Sequence, residues 1–355
     1  MPAEWRSTMK KNIYRLAASL LVTALTMGMI GCTKEEEPEE PVKEAVEIEQ
    51  EKDDVVDGKI VNGAVMLTIG ETDVTYSEVM VYVNMIKDKY EPLFSEYIWD
   101  FEVDKNKSFE DLAKEEIINQ IIRLKVMKDI AAEEGIKLTE DEKLEIEDSA
   151  AEYLTRITEE QQKKYGINLD VVTTIYEDNF LAQKLFDVIT SDVDTNVSKE
   201  EAHTVTVKQF VALYEGRDKD GNVIKKTDEQ VNSAKDKITK AYEQIVKNKN
   251  DFQTYASNHS DLGVIVVSFS KGELKEKVEN TIFALKEGQT SVVLDLGDGF
   301  YFFECVDADD EKATTERISE IVKERQNEKF SKEYDKWLQD TKVYIVTNLW
   351  NMITF

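Results

Sequence analysis

Thiol and imidazole side chains are rare in this 355-residue chain. Cys32 and Cys305 are the two cysteines, and His203 and His259 the two histidines. Metal sites draw such ligands into close clusters, whereas these are scattered, so no metal and no cofactor are expected. Cys305 lies in the apolar run "YFFECVDA", which reads as a buried small hydrophobe rather than half of a disulfide framework. Asp218, Asp220 and Gly221 have the spacing of a calcium-binding loop. That loop would need an oxygen ligand where Gly216 stands and a closing glutamate where Thr227 stands, so it is rejected. The distinctive reactive position is Cys32, because of what surrounds it.

Lys10, Lys11 and Arg15 precede an uncharged, mostly apolar stretch, Leu16 to Ile30, followed by Gly31-Cys32. The stretch is shorter than the ~18 residues of a membrane-spanning helix and has a small residue at the cut, as in a secretory signal. Its ending, "GMIGC", resembles the lipobox of bacterial lipoproteins, with Met29 and Ile30 in place of the commoner leucine and small residue. The resemblance implies cleavage before Cys32 and acylation of its sulfur. Diacyl chains then suffice for stable anchoring to the outer face of the cell membrane. An ordinary signal peptide or an uncleaved anchor is the alternative. "MKKNIYRL" makes Met9 the natural start.

Residues 33–59, "TKEEEPEEPVKEAVEIEQEKDDVVDGK", combine charge runs with proline and lack aromatics. Such a segment cannot bury enough apolar area to offset its ordering, so residues 32–60 are expected to be a disordered acidic tether. The whole chain carries a net charge of −28, and removal of residues 1–31 would make it more acidic still. That balance excludes nucleic acid and anionic lipid head groups as partners.

Beyond the tether, "VMLTIG" (65–70) reads as a strand. Helix starts of the hydroxyl-x-x-acid form follow at Thr75–Glu78, Ser108–Asp111, Thr139–Glu142 and Ser198–Glu201. Phe109, Leu112, Ile117, Ile121, Leu124 and Ile130 form a core-facing helical stripe, and Gly135 and Gly166 sit where helices should stop. A further helix is expected from Leu169 to about Ser191. The pattern then alternates in "TVTVKQFVAL" (204–213), a strand, followed by a polar loop and a helix from "TDEQ" to about Lys247. A short helix in "DFQTYASNHSD", a strand in "LGVIVVSF" and a helix in "KEKVENTIFALKEG" closed by Gly288 come next. "TSVVLDL" and "GFYFFECVDA" pair as a hairpin across Gly297-Asp298-Gly299. A helix from about Thr314 to Asp340 and the aromatic tail "VYIVTNLWNMITF" end the chain, the tail needing a partner surface. The fold class expected is α+β.

"FSKGELKEKVENTIFALKEGQTSVVLDLGDGFYFFECVD" (269–307) resembles the second half of a parvulin-type peptidyl-prolyl isomerase domain. The shared frame is Phe269, Gly272, Glu279, Phe283-Ala284-Leu285, Gly288, Ser291 and Gly299. With the lipobox and the flanking helices, the chain resembles extracellular foldase lipoproteins of the PrsA type, which share their plan with SurA-type chaperones. The resemblance implies five segments. They are a lipoprotein signal peptide (1–31), the tether (32–60), a helical chaperone module (61–200), a four-stranded parvulin-like domain (201–311) and a C-terminal helix and tail (312–355) returning to the helical module.

The resemblance also implies a substrate, unfolded secreted polypeptides, and a reaction, rotation about X–Pro bonds. That rotation crosses a barrier of ~18–20 kcal/mol and takes tens of seconds or more unaided. It requires an apolar seat for the proline ring and a dry site favouring the twisted amide, not covalent chemistry. Family parvulins keep a histidine pair on two neighbouring strands; those positions match Gln209 and Tyr301 here. The family's pocket methionine matches Leu274 and its pocket phenylalanine Val278, with Phe269 and Val266 completing the pocket. The loop after Ser260-Asp261, where the family keeps an aspartate or cysteine facing the amide, is about five residues short. The function expected is a membrane-anchored extracytoplasmic foldase whose isomerase domain diverges at its active site. A fully competent isomerase and a non-catalytic structural or ligand-binding lipoprotein are the alternatives.

Overall fold

The computed structural model describes residues 46–47, 54–104, 107–214, 216–217, 223–224 and 227–355. Cys32 and the signal segment lie outside them. Among the described residues no helix is long and apolar enough to cross a membrane. The chain divides into two compact units, one of residues 1–193 and 326–355 and the other of residues 194–325.

The first unit begins with short strands β1 (Val46–Glu47), β2 (Val55–Val56) and β3 (Lys59–Ile60), then β4 (Val65–Ile69) and β5 (Thr72–Thr75). Helix α1 (Tyr76–Phe94) leads to a small ladder of β6 (Glu102–Asp104) and β7 (Lys107–Ser108). Helices α2 (Phe109–Glu133), α3 (Glu140–Leu154), α4 (Glu159–Tyr165) and α5 (Leu169–Ile189) follow. The second unit holds β8 (Thr204–Leu213), β9 (Gly216–Arg217), β10 (Val223–Ile224), α6 (Asp228–Tyr242), α7 (Phe252–His259), β11 (Val266–Ser270), α8 (Glu276–Phe283), β12 (Leu294–Asp295) and β13 (Gly299–Asp307). Helix α9 (Glu311–Asp340) contains the boundary between the units, and β14 (Val343–Ile345) and α10 (Thr347–Trp350) complete the first.

Local chemistry accounts for the helix starts. Ser108 and Thr139 close capping boxes with Asp111 and Glu142, each hydroxyl accepting a backbone N–H and each acid reaching back. Thr158 and Gln161 form another that the acid-only pattern missed, because an amide oxygen accepts as well as a carboxylate does. Thr75 accepts from the Glu78 N–H, but Glu78 does not reach back. Its carboxylate points inward to Lys125 of α2, whose ammonium lies 2.7 Å from Glu78 Oε1 and 2.6 Å from Asp178 Oδ2 of α5. At 6%, 2% and 3% exposure, this triad links three helices inside the core. Burial raises both carboxyl pKa values against the pull of Lys125. Burial alone would lower Lys125, yet the two carboxylates together hold it above its ordinary value.

The sheet of the first unit runs β1-β14-β4-β5, so the C-terminal strand sits beside β4, almost 280 residues upstream. Met66, Leu67 and Ile69 of β4 are fully buried, and Leu349, Trp350 and Ile353 of the tail join the same core. Phe355 sets its ring 4.4 Å from that of Trp99. The aromatic tail thus finds its partner in the core it shares with α1, α2 and α5. Gly166, at φ +66°, ends α4 where a Cβ would meet Asn62 Cβ and Ser77 Oγ at 2.7 Å.

Several expectations need correction. The tether does not stay unstructured to residue 60: Val46–Glu47 pair in parallel with Tyr344–Ile345, and Val55–Ile60 form a hairpin. Asp57 (φ +51°) and Gly58 (φ +73°) supply the left-handed pair a tight hairpin requires, and Val55 and Ile60 pack on the core. At Ser198–Glu201 the hydroxyl does accept from Glu201 N–H, but only a turn forms before β8. The β-branched run that follows demands a strand, and the Glu201 carboxylate takes Arg325 instead. The helix expected to reach Lys247 is α-helical to Tyr242 and ends in a π turn, Glu243–Lys247. The helix of residues 275–288 stops at Phe283; Gly288, at φ +74°, instead donates to Cys305 O and steers the chain back onto β13.

The second unit is built on an antiparallel sheet of order β11-β8-β13-β12. Alternation splits its side chains between two faces. Phe210, Ala212 and Phe302 pack beneath α6 and α7 with Ile238, Ala241 and Phe252. Val205, Val207, Phe303 and Cys305 pack on the other face against Val278 and Ile282 of α8. The fold class is α+β.

Candidate functional site

Register decides which candidates share a face. Gln209 of β8 lies opposite Phe303 of β13, and Tyr301 lies opposite Val211 and, across the other edge, Leu294. Gln209 and Tyr301 are therefore diagonal neighbours on the α8 face, where Cβ atoms stand ~7–8 Å apart. The strand pair brings them to one face, yet each is engaged elsewhere. Gln209 is buried, and its Nε2 donates to Val264 O at 2.9 Å. The Tyr301 hydroxyl donates to Asp298 Oδ2 at 2.9 Å. Burial first, and the Asp298 carboxylate second, push this phenol well above its ordinary range, so it is a neutral donor at any physiological pH.

The apolar candidates divide. Phe269 of β11 sets its ring at 89° to Phe303, and Leu274 packs half-buried on the same cluster. Val278 is 5% exposed and wedged among core residues, so it is part of the packing under α8 rather than an open pocket wall. Val266 is a correction. It pairs with Lys208, on the strand alternation opposite to Val207 and Phe269, and is 44% exposed. Pleat alternation places it on the sheet face away from Gln209 and Tyr301.

Ser260 and Asp261 have a role that spacing alone could not reveal. β11 pairs with β8 only as far as Lys208, leaving the edge of β8 beyond it with donors to satisfy. Gln209 N–H goes to Ile265 O, Val211 N–H to Ser260 Oγ and Leu213 N–H to Asp261 Oδ2. Asp261 Oδ1 accepts from Lys237 of α6 at 2.5 Å. This loop thus closes the sheet edge with side-chain acceptors. Cys305 is 2% exposed, its thiol pushed up by burial and then by Glu287 and Asp307, so it supplies no nucleophile. His203 binds the Ala308 carbonyl and packs edge-on against Phe283 of α8, and His259 lies against Tyr255.

The residue that sequence reasoning missed is Asp298. In sequence it is only the middle of a Gly-Asp-Gly turn, and its one signal is its place three residues before Tyr301. Gly299 lets β13 approach β8 there: a Cβ would meet Ala212 O at 2.9 Å.

Comparison with known proteins bears on what such a sheet is. Residues 219–307 match the rotamase family, described as the PPIC-type PPIase domain. The second unit carries a parvulin-type domain. Gln209 precedes the matched span, whereas Val266, Phe269, Leu274, Val278 and Tyr301 lie inside it. Over 300 residues, 80% of this chain and 87% of the relative, the protein is 21% identical to the foldase protein PrsA of Caldanaerobacter subterraneus subsp. tengcongensis. Among solved structures it is similar to the foldase PrsA of Lactococcus lactis, at 15% identity and TM-score 0.32, covering 79% of this chain and 94% of that one. It is also similar to a SurA-like chaperone structure from Campylobacter jejuni, at 14% identity and TM-score 0.27, covering 79% and 98%. By resemblance the parvulin-type domain is a peptidyl-prolyl isomerase domain.

Proposed function

We propose that the protein is a membrane-anchored extracytoplasmic foldase. Its helical unit (expected at 61–200, with residues 312–355 returning to it) holds unfolded secreted polypeptides, and its parvulin-type domain (201–311) is a divergent X–Pro isomerase. The observation that carries this reading is the match of residues 219–307 to the PPIC-type PPIase family, inside a chain similar over most of its length to a PrsA foldase. Lipid on Cys32 is the proposed attachment, and the acidic segment after it the spacer.

Divergence is proposed from the site. A phenol and an amide stand at the positions the family resemblance gives to histidines, each hydrogen-bonded away from the other. Val278 presents no ring to the face. A missing ring wall forfeits roughly 1–3 kcal/mol of apolar contact, or about one to two decades in rate where the transition state used it fully. Holding of clients is therefore the main activity and isomerisation a reduced one.

The test pairs two assays on one preparation. The purified chain should suppress aggregation of an unfolded client, while accelerating a proline-limited refolding reaction only weakly. No suppression at molar excess refutes the chaperone reading, and a flat refolding rate at micromolar protein refutes residual isomerase activity. Fatty-acid labelling lost in Cys32→Ser tests the anchor; an unlabelled wild-type protein rejects it.

A further inference from the structure

We infer that the outer edge of β11 is a docking strand for extended, uncharged segments of unfolded polypeptide, held by the outward backbone groups of Val266 and Ser268. This rests on the proposed foldase reading and gives it a binding surface.

β11 ends its sheet, so only one of its sides is paired. Gln209 N–H donates to Ile265 O and Lys271 N–H to His203 O, which sets the odd-numbered residues of β11 in the hydrogen-bonded positions against β8. The residues between them, Val266, Ser268 and Ser270, therefore turn their N–H and C=O groups outward from the sheet. Ser270 is closed locally: its N–H donates to Glu273 Oε2 at 2.8 Å and its carbonyl accepts from Glu273 N–H. Past the other end of β11, Ser260 and Asp261 already satisfy the edge of β8. Two residues remain. Among the described residues nothing bonds the outward N–H or C=O of Val266 or Ser268.

This window is open to solvent. Val266 is 44% exposed, Val264 before it 65%, and Ser268 is exposed as well. Edge strands are usually guarded by a lysine, a proline, a bulge or an inward charge. Val266–Ser270 has none of these, and its register with β8 runs without a shift.

The chemistry of the edge selects its occupant. Two N–H and two C=O groups at strand spacing match the backbone of another extended chain. The charges bordering the window are already neutralised, Lys208 by Glu304 at 3.0 Å, Lys271 by Glu200 at 3.5 Å and Lys237 by Asp261. Apolar and hydroxyl side chains therefore fit beside Val266, whereas a charged one gains no partner. A second copy of the chain is the poorer occupant. The five residues of β11 make a strip ~17 Å long and one strand wide, too small for the ~1,000 Å² that a stable dimer buries. The net charge of −28 also holds copies apart. A short, reversible grip on a neutral strand is what such an edge supplies.

The test uses the full purified chain and a proline-free blocked peptide, acetyl-Ser-Val-Thr-Val-Thr-Val-Ser-amide, followed by NMR titration and amide hydrogen exchange. We expect binding with slowed exchange at the Val266 and Ser268 amides, while Val267 and Phe269, already facing β8, stay unchanged. The same peptide N-methylated at its central five residues has no donor there on either edge and should bind about tenfold more weakly, as the loss of a few hydrogen bonds predicts. Ser268→Pro removes an outward N–H and leaves the bonds to β8 in place, and should weaken binding about fivefold or more. Val266→Lys keeps every backbone group, adds an edge charge and should weaken it similarly. Equal binding of the N-methylated peptide, or undiminished binding by both variants, overturns the inference. Protection of Val266 and Ser268 that grows with protein concentration in the absence of peptide makes the edge a contact between copies and overturns it too. No peptide binding by a chain that still suppresses client aggregation rejects the docking strand and leaves the foldase reading intact; absence of that suppression as well rejects both.

Discussion

Replacing Lys125 with methionine would leave Glu78 and Asp178 facing each other inside the helical unit without a counter-charge. The two carboxyls are 6% and 3% exposed, and Lys125 Nζ lies 2.7 and 2.6 Å from them, so water cannot take over its role. Removing one partner of a buried ionic group costs ~3–5 kcal/mol, a large part of the ~5–15 kcal/mol that stabilises a typical domain. The expected result is a urea midpoint lowered by about 1 M or more at pH 7, taking ~1–3 kcal/mol per molar as the slope. Tryptophan fluorescence reports on the correct unit, since Trp99, Trp337 and Trp350 all belong to it.

The pH dependence gives a sharper signature. Burial raises both carboxyl pKa values in the folded state, so their contribution is fully favourable below the unfolded values and is lost as pH rises through the raised ones. Lys128 and Asp129 add one charge of each sign nearby, and the buried Tyr82 phenol, pushed up by its own burial and then by both carboxylates, stays neutral. Without Lys125 both carboxyls move higher, so the deficit of Lys125→Met should narrow between pH 7 and pH 5. Adding Glu78→Met and Asp178→Leu should recover much of the loss, because an apolar trio of similar volume removes the desolvation penalty. A deficit below ~1 kcal/mol at pH 7, or one unchanged at pH 5, would refute this account.

Trp350→Ala should cost ~3–5 kcal/mol in the same unfolding assay, since it opens a cavity under a tail residue 7% exposed; a loss below 1 kcal/mol would show that the tail is dispensable to the core. Asp310→Ala removes the acceptor for the Ala313 N–H at the start of α9 and for the Thr206 hydroxyl, and should cost ~0.5–2 kcal/mol. The backbone hydrogen bond, foremost, depresses the Asp310 pKa; its contribution is therefore present above the unfolded value and lost as pH falls through the folded one, so the variant and the wild type should converge in acid. Gly299→Ala forces a methyl to 2.9 Å from Ala212 O and should destabilise the second unit by roughly 1–3 kcal/mol, read by amide exchange along β8 and β13; unchanged protection there would contradict the close strand approach.

Local signals were legible where chemistry is local. Ser108 and Thr139 start helices because their acids lie three residues on, and the alternation of residues 204–213 gives a strand whichever sheet receives it. The same grammar misled at Ser198, where the hydroxyl and acid are in place but the acid is taken by Arg325, far along the chain. It was silent on Glu78, whose spacing marks a capping acid and whose tertiary neighbours make it a core ion. At the candidate site, Gln209 and Tyr301 could be matched by spacing, but no spacing shows that each has turned to a different partner.

From residue order alone came the helix caps, the strand alternation, the acidic balance and the parvulin frame, because these depend on neighbours within a few positions. Tertiary structure alone decided the rest. It put Val266 on the far face, Val278 in the core, Asp261 on the edge of β8 and Asp298 beneath the Tyr301 hydroxyl. The physical reason is pairing register: a strand's side chains change face with every residue, and which face meets which helix is set only when distant strands pair.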